Sequence, residues 1–123
     1  MGIDIYMRWD KQSEEEKEAQ YTGFSIESGG VGYLREAYHG TPYVTQFLVK
    51  EAFESDEGQA SIPSVLLRHR LADAIELHIQ RHRDIYKEDI NWESPSAESF
   101  IAFVELAERL EEAGRNPTIL ASY

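Results

Sequence analysis

The N-terminal stretch MGIDIYMRWD alternates between apolar and polar side chains from position 3 to position 10. The polar positions include Asp4, Tyr6 and Arg8, and the apolar positions are Ile3, Ile5, Met7 and Trp9. This period of two, with β-branched and aromatic residues, predicts a half-buried β-strand. A strand this short is not stable alone. The rest of the chain must therefore supply a partner strand, and this requirement limits the folds open to it.

The C-terminal stretch TILASY, positions 118–123, is a good candidate for that partner, because it is rich in β-forming residues and follows the pair Asn116-Pro117. The two terminal strands are expected to pair with each other, or with a third strand from the region Tyr21–Ile26. We expect both ends of the chain to belong to one sheet.

Two long amphipathic helices are predicted in the second half of the chain. The first begins at Ile62-Pro63 and runs to about Lys87, and its apolar side contains Leu67, Leu71, Ala74, Ile75, His78, His82, Ile85 and Tyr86. The second follows Ser94-Pro95 and is closed by Gly114, with an apolar stripe of Phe100, Phe103, Val104, Ala107 and Leu110. Leu71 and Phe103 lie centrally on their stripes and are expected in the core.

Two shorter helices are predicted in the first half. SEEEKEAQ is typical of a surface helix, with Ser13 as its cap and Glu16 completing a capping box. VGYLREAYH, residues 31–39, is interpreted as a short helix closed by Gly40.

The segment TPYVTQFLV, residues 41–49, has two interpretations. The pair Thr41-Pro42 can start a helix, whereas the β-branched and aromatic residues that follow favour a strand. We predict a helix, because no strong stop precedes Ser55. Residues 54–61 are predicted to form a loop.

These elements together predict one α+β domain over residues 1–123. Its architecture is expected to have two layers and to be mostly helical. The small sheet is formed by the N- and C-terminal strands, and the two long helices cover one face of it. A chain of 123 residues is long enough to bury a core without disulfides or metals.

The charge balance excludes several classes of partner. The chain has 23 acidic and 12 basic residues, for a net charge of −11. Nucleic acids and anionic membrane surfaces both require a basic footprint, so we expect neither as a partner. The sequence has no cysteine, no signal-peptide pattern at its start and no apolar run of transmembrane length. A cytoplasmic protein is the expectation.

The polar side of the first strand is the first candidate site. It presents Asp4, Tyr6 and Arg8 in a row. An antiparallel sheet can leave this side open to water, in which case the row is ordinary surface. If the row is covered, its charges must be paired, and Asp4 then pairs with Arg8 or Arg35.

The glycine-rich stretch GGVGYLREAYHG, residues 29–40, is the second candidate. As a helix it would place Arg35 and His39 on one side, four residues apart. The preceding SGGVG is interpreted either as a turn or as a cradle for an anion. The full set of candidate ligand-binding residues is Asp4, Tyr6, Arg8, Tyr33, Arg35, Tyr38 and His39.

One metal-site candidate is the pair His78 and His82, whose spacing of four residues allows both to contact one ion. The intervening sequence, HIQRH, lacks the glutamate of a zinc protease, and two ligands do not hold zinc. The alternative is a pair of semi-buried histidines bonded to the backbone or to a carboxylate. We therefore expect no metal and no cofactor, and a solvated His69.

The segments MGIDIYMRWD, YTGFS and GYLREAYHG together resemble a family of small uncharacterised bacterial proteins. Its members begin Gly-hydrophobic-Asp-Ile-Tyr and carry a Tyr-Leu-Arg-Glu-Ala-Tyr-His-Gly segment. The resemblance extends over most of the chain, to the Ala-Ser-Tyr tail. It implies a complete chain of bacterial origin, and it implies no activity, cofactor or catalytic residue.

Two classes of function fit these observations. We favour a non-catalytic protein that acts through a protein partner or as a homo-oligomer, because seven tyrosines, two tryptophans and five phenylalanines supply aromatic surface suited to an interface. The alternative is a small enzyme, or a protein that binds an anion or another small ligand, with a pocket formed by the candidate residues. In that pocket a histidine would be the acid or base, and an arginine would hold the anion.

Overall fold

The two ends of the chain meet in one antiparallel sheet of an α+β fold. The computed structural model describes residues 2–22, 28–37, 43–81 and 97–123. The strands are β1 (Gly2–Arg8), β2 (Tyr33–Ala37), β3 (Gln59–Ala60) and β4 (Thr118–Ser122). The helices are α1 (Glu14–Thr22), α2 (Val44–Leu48), α3 (Lys50–Glu54), α4 (Ser64–Arg81) and α5 (Ala97–Glu112), with a 3-10 helix at Ser28–Val31.

Strand β1 is hydrogen-bonded along both of its edges. The strand order is β2-β1-β4-β3, and neighbouring strands are antiparallel. Ile5 lies opposite Leu34 on one edge and opposite Ala121 on the other. The predicted pairing of the two terminal strands is therefore confirmed. The predicted alternation is confirmed as well, since the fully buried side chains of β1 are those of Ile3, Ile5 and Met7.

The third strand of the sheet comes from a different segment than the one predicted. Tyr21 and Thr22 belong to α1, and residues 23–27 lie outside the described part of the chain. Strand β2 takes the free edge of β1 instead.

Helix α5 packs against β2, and its apolar side shares one core with the apolar face of β1. The predicted stripe of α5 is buried throughout, at Phe100, Phe103, Val104, Ala107 and Leu110. Gly114 follows the helix with a φ of +73°, as its predicted closing role requires. Helix α4 packs against α5 and α2, and it buries Leu67, Leu71 and Ala74 while His69 is exposed. The described part of α4 ends at Arg81, so the predicted extension to Lys87 lies outside it.

The helix predicted over residues 31–39 is wrong. Over residues 31–37 the chain forms the end of the 3-10 helix and then β2, and residues 38 and 39 lie outside the described ranges. Its leucine, arginine, glutamate and alanine favour a helix locally, but the free edge of β1 supplies backbone partners, and Leu34 is buried opposite Ile5. Gly32 turns the chain into the strand with a φ of +88°, which a residue without Cβ adopts freely.

The helix predicted in residues 41–49 is confirmed as α2 over the described positions. It is interrupted at Val49, where φ is −120° and ψ is 42°, and α3 continues to Glu54. The following segment, predicted as a loop, also contains the short strand β3. The capping box of α1 is present, since the Ser13 N–H donates to Glu16 Oε1 at 2.9 Å and the Glu16 N–H donates to Ser13 Oγ at 3.1 Å.

Within the described ranges, none of the helices combines the length and the apolar composition that crossing a membrane requires.

Phe103 is expected to be one of the most sensitive positions of the core, because its side chain is fully buried on α5. We expect Phe103→Ala to lower the free energy of unfolding by about 3–5 kcal/mol through lost burial and the cavity it leaves. Glu105→Ala, on the exposed side of the same helix, serves as the control and should change it by less than about 0.5 kcal/mol. Denaturant unfolding measures both, and equal losses would contradict the assigned helical faces.

Candidate functional site

The polar face of β1 and β2 carries most of the side chains that the sequence singled out. Asp4 lies opposite Arg35, and Tyr6 lies opposite Tyr33. Opposite residues of an antiparallel pair project to the same face, and Arg8 shares it by alternation along β1. The structure thus brings together five of the seven candidates. We call them the polar-face cluster: Asp4, Tyr6, Arg8, Tyr33 and Arg35.

One carboxylate oxygen connects two strands in this cluster. Asp4 Oδ1 accepts a hydrogen bond from Arg35 Nη1 at 2.7 Å and another from the Tyr33 hydroxyl at 2.5 Å. The Asp4 and Arg35 side chains are 22% and 23% exposed, so the ion pair is partly shielded from water. Of the two alternatives raised by the sequence, the structure shows the paired row, with Arg35 as the partner of Asp4.

The Tyr33 phenol is held in its protonated form. Burial, followed by the hydrogen bond to Asp4, raises the pKa of Tyr33 far above its ordinary value. The pKa of Arg35 is also raised, chiefly by its hydrogen bond to Asp4. Tyr33 is therefore a permanent donor to Asp4, and it does not act as a base near neutral pH.

Arg8 connects the cluster to helix α1. Its guanidinium carbon lies 5.4 Å from the Tyr6 ring centroid, within range of a cation–π contact. Arg8 also donates to the side-chain oxygen of Gln20, and the Gln20 amide donates to the backbone oxygen of Met7 at 2.9 Å. Gln20 is only 1% exposed. Sequence reasoning missed it, because a glutamine in an acidic surface helix gives no signal of burial.

Glu36 is a second buried polar side chain that the sequence did not reveal. It is 3% exposed and lies on the core side of β2, opposite Ile3. Its carboxylate accepts hydrogen bonds from the Val44 N–H at 2.9 Å, and from the Thr45 N–H and hydroxyl at 2.8 Å each. The two N–H groups stand at the start of α2, where a helix offers no acceptor of its own. Glu36 supplies that acceptor and so fixes this helix to the sheet. The one signal of this role in the sequence is Tyr43, which precedes α2 and is not a residue type that usually caps a helix.

The glycine-rich turn before β2 packs closely against α5. The Gly29 N–H donates to Ser99 Oγ at 2.8 Å. A Cβ at Gly29 would lie 1.8 Å from the Ser99 carbonyl oxygen, so only glycine fits there. The Gly29 N–H that an anion cradle would use is already bonded.

The histidine candidates are only partly described. His78 is 7% exposed, and its ring packs edge-on against Phe100 with the centroids 5.7 Å apart. Tyr38, His39 and His82 lie outside the described residues. Within the four described ranges, histidine and acidic side chains do not gather in a group of three or more that could hold a metal ion.

Two clefts in the described part of the chain are bordered by other residues. A cleft of about 240 Å³ lies beside α1, and its lining includes Trp9, Val31 and Leu106. A cleft of about 320 Å³ lies near the start of α4, and its lining includes Ile62, Glu111 and Pro117. The polar-face cluster borders neither of these clefts.

Comparison with known proteins gives no matching family model, no matching curated protein and no matching solved structure. The resemblance to a bacterial family suggested by the sequence therefore stays a prediction.

The raised pKa of Tyr33 predicts a specific loss of stability in alkali. The unfolded chain releases this proton near pH 10, about the ordinary pKa of tyrosine, whereas the folded chain retains it. The contribution is complete below about pH 10 and decreases as the pH rises above it, because the unfolded state then binds fewer protons. We expect Tyr33→Phe to flatten the alkaline limb of a stability–pH profile. A Tyr33→Phe profile that falls as steeply in alkali as the wild-type profile would contradict the assignment.

Removing the Glu36 carboxylate should destabilise the domain. Glu36→Ala leaves two N–H groups of α2 and the Thr45 hydroxyl without this acceptor. We expect the free energy of unfolding to fall by about 1–3 kcal/mol or more, as measured by chemical denaturation. The exposed Glu57→Ala should be close to wild type, and a wild-type midpoint for Glu36→Ala would refute the capping role.

Proposed function

We propose that this protein acts without catalysis, by binding another polypeptide, either a different protein or a second copy of itself. The observation that carries the proposal is the exposure of apolar side chains along one side of α4. The proposed setting is the bacterial cytoplasm, as expected from the sequence.

Helix α4 presents large apolar side chains to solvent. Val65 is 69% exposed, Ile79 is 53% exposed and Leu66 is 38% exposed. Val65, Ala72 and Ile79 are seven residues apart and fall on one line along the helix; we call them the outer stripe. The opposite side of α4 supplies the core contacts, so the outer stripe has no role in the described core. Apolar residues that recur every seven positions along one helix face are a feature of helices that pair with another helix.

The polar-face cluster supports a structural role more than a catalytic one. A general acid or base must titrate near the working pH and reach a proton on the substrate. Tyr33 keeps its proton, and its hydroxyl is engaged by Asp4. Arg35 is bonded to the same Asp4 oxygen. The cluster thus behaves as a preassembled part of the sheet, with the Tyr6 ring packed against the Tyr33 ring at a centroid distance of 5.3 Å.

The proposal predicts that binding depends on the outer stripe. Wild-type protein immobilised on beads should retain a polypeptide from bacterial extract, or a tagged copy of itself supplied at up to about several hundred micromolar, in an amount that saturates as the input concentration rises. The double variant Val65→Glu with Ile79→Glu should retain at least about tenfold less, because each charge would be buried without a partner in an apolar contact. Quantitative mass spectrometry of the eluates measures the retained amounts.

The control is Val31→Glu, which places one glutamate at an apolar position, 38% exposed, outside α4. It should retain the wild-type amount. Equal retention by all three proteins, or no specific retention of any polypeptide including the protein itself, would refute the proposed function.

A further inference from the structure

The outer stripe of α4 has a two-fold pattern centred on Ala72. Val65 precedes Ala72 by seven residues and Ile79 follows it by seven. At a rise of about 1.5 Å per residue, the two large apolar side chains lie about 10 Å on either side of the alanine. Both are more than half exposed.

Two residues of opposite charge are also placed symmetrically about Ala72. Arg68 lies four residues before Ala72, and Glu76 lies four residues after it. Spacings of four and seven residues share one helix face. Both charged side chains are exposed, Arg68 to 47%.

Two copies of such a face are complementary when they are antiparallel. In a two-fold contact centred on Ala72, a residue a given distance before the alanine meets the residue the same distance after it in the other copy. Val65 then meets Ile79, and Arg68 meets Glu76, each contact occurring twice. A parallel arrangement would instead place arginine against arginine and glutamate against glutamate.

We infer that the occupant of the outer stripe is a second copy of this chain, with the two α4 helices antiparallel and crossing at Ala72. This inference rests on the proposed function and specifies its partner. The small alanine at the crossing lets the two helix backbones approach closely. The paired charges set the register, as flanking charges do in helix pairs.

Arg68 keeps donors for this contact although it is already in an ion pair. Its Nε and Nη2 donate to the Glu108 carboxylate at 3.0 and 2.5 Å. A guanidinium has five N–H donors, and these two bonds do not use Nη1. Glu108 holds the Arg68 side chain in place, which lowers the conformational entropy lost on association.

The dimer is expected to be weak. A contact one helix wide falls at the small end of specific interfaces, and two chains of charge −11 repel each other. The mass should therefore rise with concentration, from 14.1 kDa toward twice that value. Sedimentation velocity from the low micromolar to the several-hundred-micromolar range measures this rise.

Charge-reversal variants test the register. Arg68→Glu and Glu76→Arg should each raise the dissociation constant at least about tenfold, because each places like charges together twice. An equimolar mixture of these two variants should regain the wild-type mass, since a heterodimer restores both opposite-charge contacts. Glu108→Gln is the control for the loss of the internal ion pair and should still dimerise. Circular dichroism with thermal melting verifies that each variant is folded.

The outcomes separate this inference from the proposed function. A wild type that stays monomeric at every concentration, or a mixture that does not recover, overturns the antiparallel dimer. If a different protein is then retained in a stripe-dependent way, the proposed function stands without it. If neither the copy nor any other polypeptide depends on the stripe, both fail. If the equimolar mixture of the two variants regains the wild-type mass while each variant by itself stays monomeric, the result supports the dimer and its register.

Discussion

The pairing of β1 along both edges is the constraint on which the rest of the structure depends. One edge takes β4 from the far end of the chain, and the other takes β2. Because side chains alternate along a strand, this register decides which residues share a face. A shift of one residue would move Asp4 into the core and Ile5 out of it. The apolar core and the polar-face cluster are therefore two results of the same hydrogen-bonded ladder.

Strand β2 anchors charged groups on both faces of the sheet with two consecutive residues. Arg35 lies on the polar face and bonds to Asp4, while Glu36 lies on the core face and accepts the first N–H groups of α2. A buried charge is tolerated only when it is paired or fully hydrogen-bonded. Each charge meets its partner through the strand's own alternation. Strand pairing thus also places α2 against the sheet.

Elements with a clear periodicity of apolar residues could be predicted from sequence. Elements whose secondary structure depends on a neighbouring strand or helix could not. β1 and α5 carry unbroken apolar patterns, and both were predicted. β2 was not, because LREA favours a helix locally and only the free edge of β1 makes it a strand. Most residues of the polar-face cluster were named from the sequence, but Arg35 was expected on a helix. It meets Asp4 instead through a strand register that joins positions 31 residues apart. Gln20 and Glu36 owe their roles to tertiary contacts with no local pattern.

The core also determines what α4 shows to solvent. Leu67, Leu71 and Ala74 are buried against the rest of the domain, which fixes the rotation of the helix about its axis. Positions seven residues apart drift by only about 20° around a helix, so Val65, Ala72 and Ile79 stay on one line over the length of α4. The core holds the helix backbone beneath this face in place, so only the exposed side chains have to be ordered when a partner covers it. The packing that stabilises the monomer therefore also prepares the surface proposed to bind the second copy.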